Sequence, residues 1–501
     1  MRIDRQNKTP IVAALLKYSK EKTIPFHVPG HKQGKGNRDL KKLLGPACLK
    51  IDLTCMEDLD NICTPVSVIK EAEALAAELY GAENAFFLVN GTTGGIQAMI
   101  MSVCNPGDKI IIPRNAHKSA IGGLILSGAE PVYVEPEINE QLGIAMGVRP
   151  ETVARALESH PDAKAVFMIN PTYYGIASDL KSIVEIAHSF QIPVIVDEAH
   201  GAHLNFDKNL PLSAMEAGAD LAASSTHKLG GSLTQSSLLL HQGQLIKPQK
   251  VKAALNLTQT TSPSYLLLAS LDIARRQLAG RGKEMINKAW QLSVWAREEI
   301  SKIEGLYVMG EEVLGQLGCY SLDPTKIVIN VKALGLSGYE AEKILRKKYH
   351  IQVELSDLLN IIVLVSIGDD KRSLSRLIEA LAAMAEAQSH SNVVKYFIPL
   401  PAIPEAVVSP REAFYGESRT VPLNEAEGEI SAEMVMAYPP GIPIVCPGER
   451  ITREIIDYIN ILKNEAAELQ GTEDPEVGMI RVLNRRLVLI QNEETLNQQV
   501  I

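Results

Sequence analysis

Short apolar runs recur through the first half of the chain, each ending abruptly in glycine, proline or a polar residue. They read "AFFLV" at 85–89, "KIIIP" at 109–113, "PVYVE" at 131–135, "AVFMIN" at 165–170 and "PVIVDEAH" at 193–200. Most show no polar alternation, so strands built from them bury both faces. Segments of helical spacing lie between, such as "SVIKEAEALAAELYG" at 67–81 and "DLKSIVEIAHSF" at 179–190. Strands buried on both sides and separated by helices predict βαβ units around a parallel-rich sheet, an α/β fold.

The 501 residues exceed what one hydrophobic core supports. Residues 1–60 read as an irregular N-terminal arm and 61–300 as a large domain. The latter ends in a long helix, "KEMINKAWQLSVWAREEISKIEG". A small α/β domain is expected over 301–390, from "KIVINV", "GYEAEKILRKKYHI" and "IIVLVSIG", and a C-terminal α+β domain over 391–501. The net charge of -9, spread along the chain, argues against nucleic acid. No run is apolar enough to cross a membrane, and the start does not read as a signal peptide. The cysteines (48, 55, 63, 104, 319, 446) form neither a CxxC pair nor a zinc-like cluster. No disulfide and no metal is expected, and a cytoplasmic protein is.

Four stretches stand at loops after presumed strands, where open α/β sheets hold ligands. "VNGTTGG" (89–95) runs from a strand through glycines and hydroxyls into a helix. Its free N–H groups, with Thr92 and Thr93, suit a phosphate; a helix cap with a tight turn is the plainer reading. In "PRNAHKS" (113–119), His117 can stack on a flat ring, although a lone loop histidine is more often structural. Asp197 ends a β-branched strand, where an anion in low dielectric needs a protonated partner. A metal or a helix cap would also explain it. In "SSTHKLGGS" (224–232), Ser225 and His227 can donate to a phosphate and Lys228 presents an amine with no nearby carboxylate in sequence. A desolvated lysine becomes a nucleophile toward carbonyls; a helix-capping lysine is the alternative. Together, phosphate loop, stacking ring, strand-end anion and amine describe one ligand, pyridoxal 5′-phosphate.

With "FHVPGHKQG", "NGTTGG", "PRNAHKS", "DEAHG", "STHKL", "TQTTSPSY" and "YPPGIPIVCPGE", the chain resembles the bacterial Orn/Lys/Arg decarboxylases. The resemblance implies a fold-type I, aspartate-aminotransferase-like architecture with 61–300 as the cofactor-binding domain. It implies that Lys228 forms the Schiff base, that Asp197 pairs with the pyridine nitrogen and that His117 stacks on the ring. Ala199 and His200 would lie beside the cofactor, and Thr92, Thr93, Ser225 and His227 would hold its phosphate. Thr260 would reach a phosphate in a neighbouring subunit of a homodimer or higher oligomer with shared sites. The distal cation of a basic substrate needs an anion; Glu433 is the first choice, with Glu417 and Glu427 as rivals. "SPREAFYGE" and "ISAEMVMAYPPGIPI" bring the chain nearest the short arginine decarboxylases, which convert L-arginine to agmatine and CO2 for polyamine synthesis. Lysine, ornithine and transamination remain the alternatives. The short arm replaces an extra N-terminal domain of longer members, and His200 stands where some relatives carry tryptophan.

Overall fold

The computed structural model describes residues 5–388, 400–437 and 441–484. Its centre is a seven-stranded sheet. The strands are β1 (Asn84–Leu88), β2 (Lys109–Pro113), β3 (Glu130–Val134), β4 (Ala165–Ile169), β5 (Val194–Asp197), β6 (Leu221–Ser224) and β7 (Ser237–His241). Their spatial order is β1-β7-β6-β5-β4-β2-β3. The pairs from β6 through β3 are parallel, whereas β7 runs antiparallel to both β1 and β6.

Alternate residues of one strand enter opposite cores, as the pleat requires. Val194 and Val196 of β5 face one apolar cluster and Ile195 the other. Val166 and Met168 of β4 divide from Ala165 and Phe167 in the same way. Helices α1 (Gly91–Val103) and α2 (Lys118–Ser127) cover one face, and α3 (Leu180–Ser189) covers the other. The apolar runs therefore become strands as their composition predicts. The segments "LAAS" and "SLLLH" also become strands, although small residues and a short span give them little signal of their own.

The long helix α4 spans Tyr265–Ile300, starting well before the stretch whose polar spacing announces it. Its first half packs Leu268, Leu271 and Leu278 into the main core, and a buried ion pair of Asp272 and Arg275 at 2.8 Å breaks the apolar pattern there. Its second half joins a separate core with Ala296 and Ile300. Around that core lie β8 (Tyr307–Val308), β9 (Lys326–Asn330), β10 (Leu355–Ser356) and β11 (Asn360–Leu364). They pair antiparallel in the order β8-β9-β11-β10, with helices α5 (Gly338–Tyr349) and α6 (Lys371–Gln388) packed on them. Further on, β12 (Ser418–Pro422), β13 (Val435–Ala437), β14 (Ile442–Val445), α7 (Arg453–Asn464) and β15 (Met479–Leu483) enclose another apolar cluster. Residues 438–440 of the "YPPG" stretch lie outside the described residues.

Phe167 is fully buried between the sheet and α1 and α2. Phe167→Ala should cost about 3–5 kcal/mol by removing its contacts and leaving a cavity, read as a lowered denaturation midpoint.

Candidate active site

The loops that leave β1, β2, β5 and β6 place four polar groups at one edge of the sheet. Gly91, with φ of 71°, makes the turn from β1 into α1. A Cβ on Gly95 would lie 2.6 Å from Leu88 Cδ1, so glycine lets the helix lie close on the strand. At the start of α1, the Thr92 hydroxyl meets Ser225 Oγ at 2.5 Å and Ser237 Oγ at 2.9 Å. Thr93, one residue on, is exposed. Among the described residues, Ser224 Oγ and Thr226 Oγ1 are buried without a hydrogen-bond partner. The end of β6 is thus rich in hydroxyls with unused capacity.

Asp197 ends β5 and is buried, its Oδ1 accepting from Ala199 N at 3.0 Å. Burial raises its pKa, against the lowering by that N–H and by Lys228. Lys228 stands on the helical turn Thr226–Leu229, and its Nζ lies 2.7 Å from His200 Nε2. Burial lowers the Lys228 pKa, while Asp197 and Glu354 oppose that shift. The amine thus meets an imidazole nitrogen rather than a carboxylate.

His200 is buried, and its Nδ1 has no partner among the described residues. Burial, with Lys228, drives its pKa well below the ordinary value, so its ring is neutral. The ring packs 4.6 Å from that of Tyr173, over which the Lys228 amine lies at 5.6 Å from the centroid. His117 caps α2, its Nδ1 accepting from Ser119 N at 3.2 Å and lying 2.7 Å from Ser119 Oγ. Burial and the nearby Lys228 push its pKa down to about 4. A neutral, flat His117 beside the amine suits ring stacking.

The remaining predicted residues fall differently. His227 Nδ1 donates to Ser236 O at 2.9 Å, and burial lowers its pKa. Its other nitrogen therefore carries no hydrogen in the neutral ring, and donation to a phosphate requires the protonated form. Thr260 is exposed, its hydroxyl accepting from Ser262 N at 3.1 Å. Glu433 is buried among backbone donors, with Oε1 accepting from Arg481 N and Oε2 from Glu473 N, both at 2.9 Å. Its carboxylate anchors the strands around it and makes no described bond to the Lys228 group. Glu417 and Glu427 are exposed.

Sequence reasoning missed Tyr173 and Glu354. Tyr173 follows "AVFMIN" at the same sheet edge, a position that could have marked it. Glu354 comes from the antiparallel unit, and no local motif points to it, yet it acts electrostatically on both Lys228 and His227.

Residues 9–373 match the family model "Orn/Lys/Arg decarboxylase, major domain", and 394–484 match the "Orn/Lys/Arg decarboxylase, C-terminal domain". The chain belongs to the Orn/Lys/Arg decarboxylases. It is 49% identical over 484 residues to a protein named arginine decarboxylase from Bacillus subtilis, covering 96% of this chain and 99% of that one. A protein of the same name from Halalkalibacterium halodurans is 48% identical over 486 residues, covering 96% and 99%. Among solved structures, the lysine decarboxylase LdcF of Francisella novicida superposes with a TM-score of 0.83 at 24% identity, over 95% of this chain and 81% of that one. An aminotransferase from Bacillus subtilis gives 0.53 at 18% identity, over 64% and 85%. The decarboxylase thus has the fold-type I architecture that its sheet order displays.

Beside Asp197, the buried Glu198 accepts from Ala214 N at 2.6 Å. Burial pushes its carboxyl up to about 8, so the folded enzyme binds a proton there that the unfolded chain releases near the ordinary carboxylate range. The stability carried by that proton is complete below the unfolded pKa and is lost as pH rises through about 8. Glu198→Gln should therefore show a smaller fall in melting temperature across that window than the wild type, measured in a series of buffers.

Proposed function

We propose that this enzyme converts L-arginine to agmatine and CO2 with pyridoxal 5′-phosphate bound to Lys228. One observation carries the reading: the Lys228 amine rests on a neutral imidazole, 2.7 Å away, across from a buried, sparsely compensated Asp197. An amine so placed is kept available for an aldehyde. Near-half identity along nearly the whole chain to proteins named arginine decarboxylase supports arginine as the substrate.

The residues fit the cofactor. Hydroxyls on Ser224 and Thr226 that have no partner among the described residues flank Ser225 of the Thr92–Ser225 pair at the start of α1, which suits a phosphate. Asp197 suits a ring nitrogen that must keep its proton, and Ala199 N–H fixes the carboxylate's orientation. Pyridoxal 5′-phosphate supplies an electron sink for the pair left at the substrate Cα when CO2 departs.

This chain's groups do the rest. Asp197 holds the proton on the ring nitrogen. His117 covers a ring face and excludes water from it. Thr92, Thr93 and Ser225 anchor the phosphate, His227 adds to them only in its protonated form, and His200 orients the Lys228 amine. Once freed by substrate, Lys228 donates a proton to Cα, a task that suits an amine whose pKa burial has lowered. Glu354, the carboxylate that acts on both Lys228 and His227, joins Glu433 as a candidate partner for the substrate's distal cation. We read the enzyme as a cytoplasmic homodimer or higher oligomer serving polyamine synthesis, with Thr260 completing the site of a neighbouring subunit.

Borohydride reduction of the loaded enzyme should fix the cofactor to residue 228, seen by peptide mass spectrometry, and Lys228→Ala should give no agmatine. Label at another residue, or lysine or ornithine turned over in preference to arginine, would sink the corresponding part of the reading. Glu354→Gln should raise KM for arginine about tenfold with a smaller change in kcat, since the lost contact binds ground and transition states alike.

A further inference from the structure

Arg114 directly follows β2 and stands three residues before His117. Its backbone N–H donates to Val134 O at 3.1 Å, fixing it beside the end of β3. Its guanidinium reaches out of the large α/β unit altogether. Nε donates to Glu449 Oε1 at 2.9 Å and Nη2 to Glu449 Oε2 at 2.8 Å. Nη1 donates to Pro443 O at 2.8 Å and Nη2 to Ile444 O at 3.2 Å. Glu449 Oε2 also accepts from Cys446 N at 2.7 Å, which folds its own segment around the carboxylate. On the other side of His117, Lys118 N donates to Gly441 O at 3.0 Å. The stretch 441–449 therefore grips the His117 loop from both ends.

We propose that Arg114 and Glu449 are positioning residues, through which the C-terminal segment sets the place of the His117 ring. The planar fork makes four bonds here, two of them bidentate to the carboxylate, and the three donors of a lysine cannot reproduce that set. The pair is almost wholly buried, at 8% and 1% exposure. Ion pairs that deep add little net stability over apolar residues of the same volume, so stability is a weak reason for this one. Fixing register is a better one. Cys446 seals the contact from the same apolar cluster that holds Ile110 and Ile112 of β2. The consequence for cofactor binding rests on the function proposed above; the grip on His117 does not.

The test compares Arg114→Lys with Asp272→Asn, which breaks the equally buried Asp272–Arg275 pair on α4. Carbethoxylation of His117 by diethyl pyrocarbonate, followed by peptide mass spectrometry on the full chain without added cofactor, reports the loop directly. Arg114→Lys should speed that reaction and lower both cofactor affinity and kcat/KM about tenfold or more, as a displaced catalytic loop does. Asp272→Asn should lower the melting temperature while leaving all three near wild type. Glu449→Asp, one methylene shorter, gives the same readings should Arg114→Lys fail to fold. The proposal is overturned if the clamp variants melt earlier yet keep the wild-type His117 rate. A wild-type chain that bound no pyridoxal 5′-phosphate would refute the proposed function alone, with the His117 rate still deciding the clamp.

Discussion

Burial of the central sheet on both faces governs everything at the site. Residues of β4 and β5 alternate between two apolar clusters, so neither face leaves room for a polar side chain within a strand. Polar chemistry is confined to the strand ends, and the parallel arrangement puts several of those ends on one edge. Asp197, the last residue of β5, sits at the boundary. So do the hydroxyls of Thr92 and Ser225, which meet across the ends of β1 and β6. No single loop builds this group; the sheet does, by leaving it nowhere else to stand.

The same burial sets the protonation of the group. Desolvation is the largest influence on Asp197, His117, His200 and Lys228 alike, and in each it disfavours the charged form. Two imidazoles near one amine become neutral first, and a neutral imidazole holds the lysine by a hydrogen bond without fixing its charge. A carboxylate in the place of His200 would bind the same amine as an ion pair and hold its proton. Asp197 acts from farther off, through charge, and this leaves the amine chemically available.

Lys228, Asp197 and His117 were legible because each belongs to a local pattern of strand, turn and polar residue within a few positions. The central strands with β-branched character were legible for the same reason. What escaped is assembled over long sequence separations. Tyr173 reaches His200 from a different loop, and Glu354 acts on Lys228 from an antiparallel unit more than a hundred residues later. The setting of Glu433 was not legible, because acidic character near a shared motif says nothing of direction. Its oxygens accept from the backbone of Glu473 and Arg481, which only the fold reveals. The first half of α4 escaped because core packing replaced the amphipathic spacing by which a helix is read.

The antiparallel unit enters the site through backbone as well as charge. Lys326, at the start of β9, is fully buried and donates to the carbonyl of His200 at 3.0 Å and to Asp323. Asp323 also lies 3.0 Å from His203 Nε2. Burial alone would raise the pKa of Asp323, but Lys326 and His203 outweigh it and hold the carboxyl well below the ordinary range. The Asp323 carboxylate is therefore ionised, and separating it from its partners would strand its charge in the interior. That cost makes the contact rigid. The carbonyl it grips belongs to the residue whose ring meets the Lys228 amine, so displacement of β9 relative to the sheet would move His200 and, with it, Lys228. The position of the Lys228 amine is thus set from two sides: by the turn that carries it, and by a buried ion pair that shares none of its sequence.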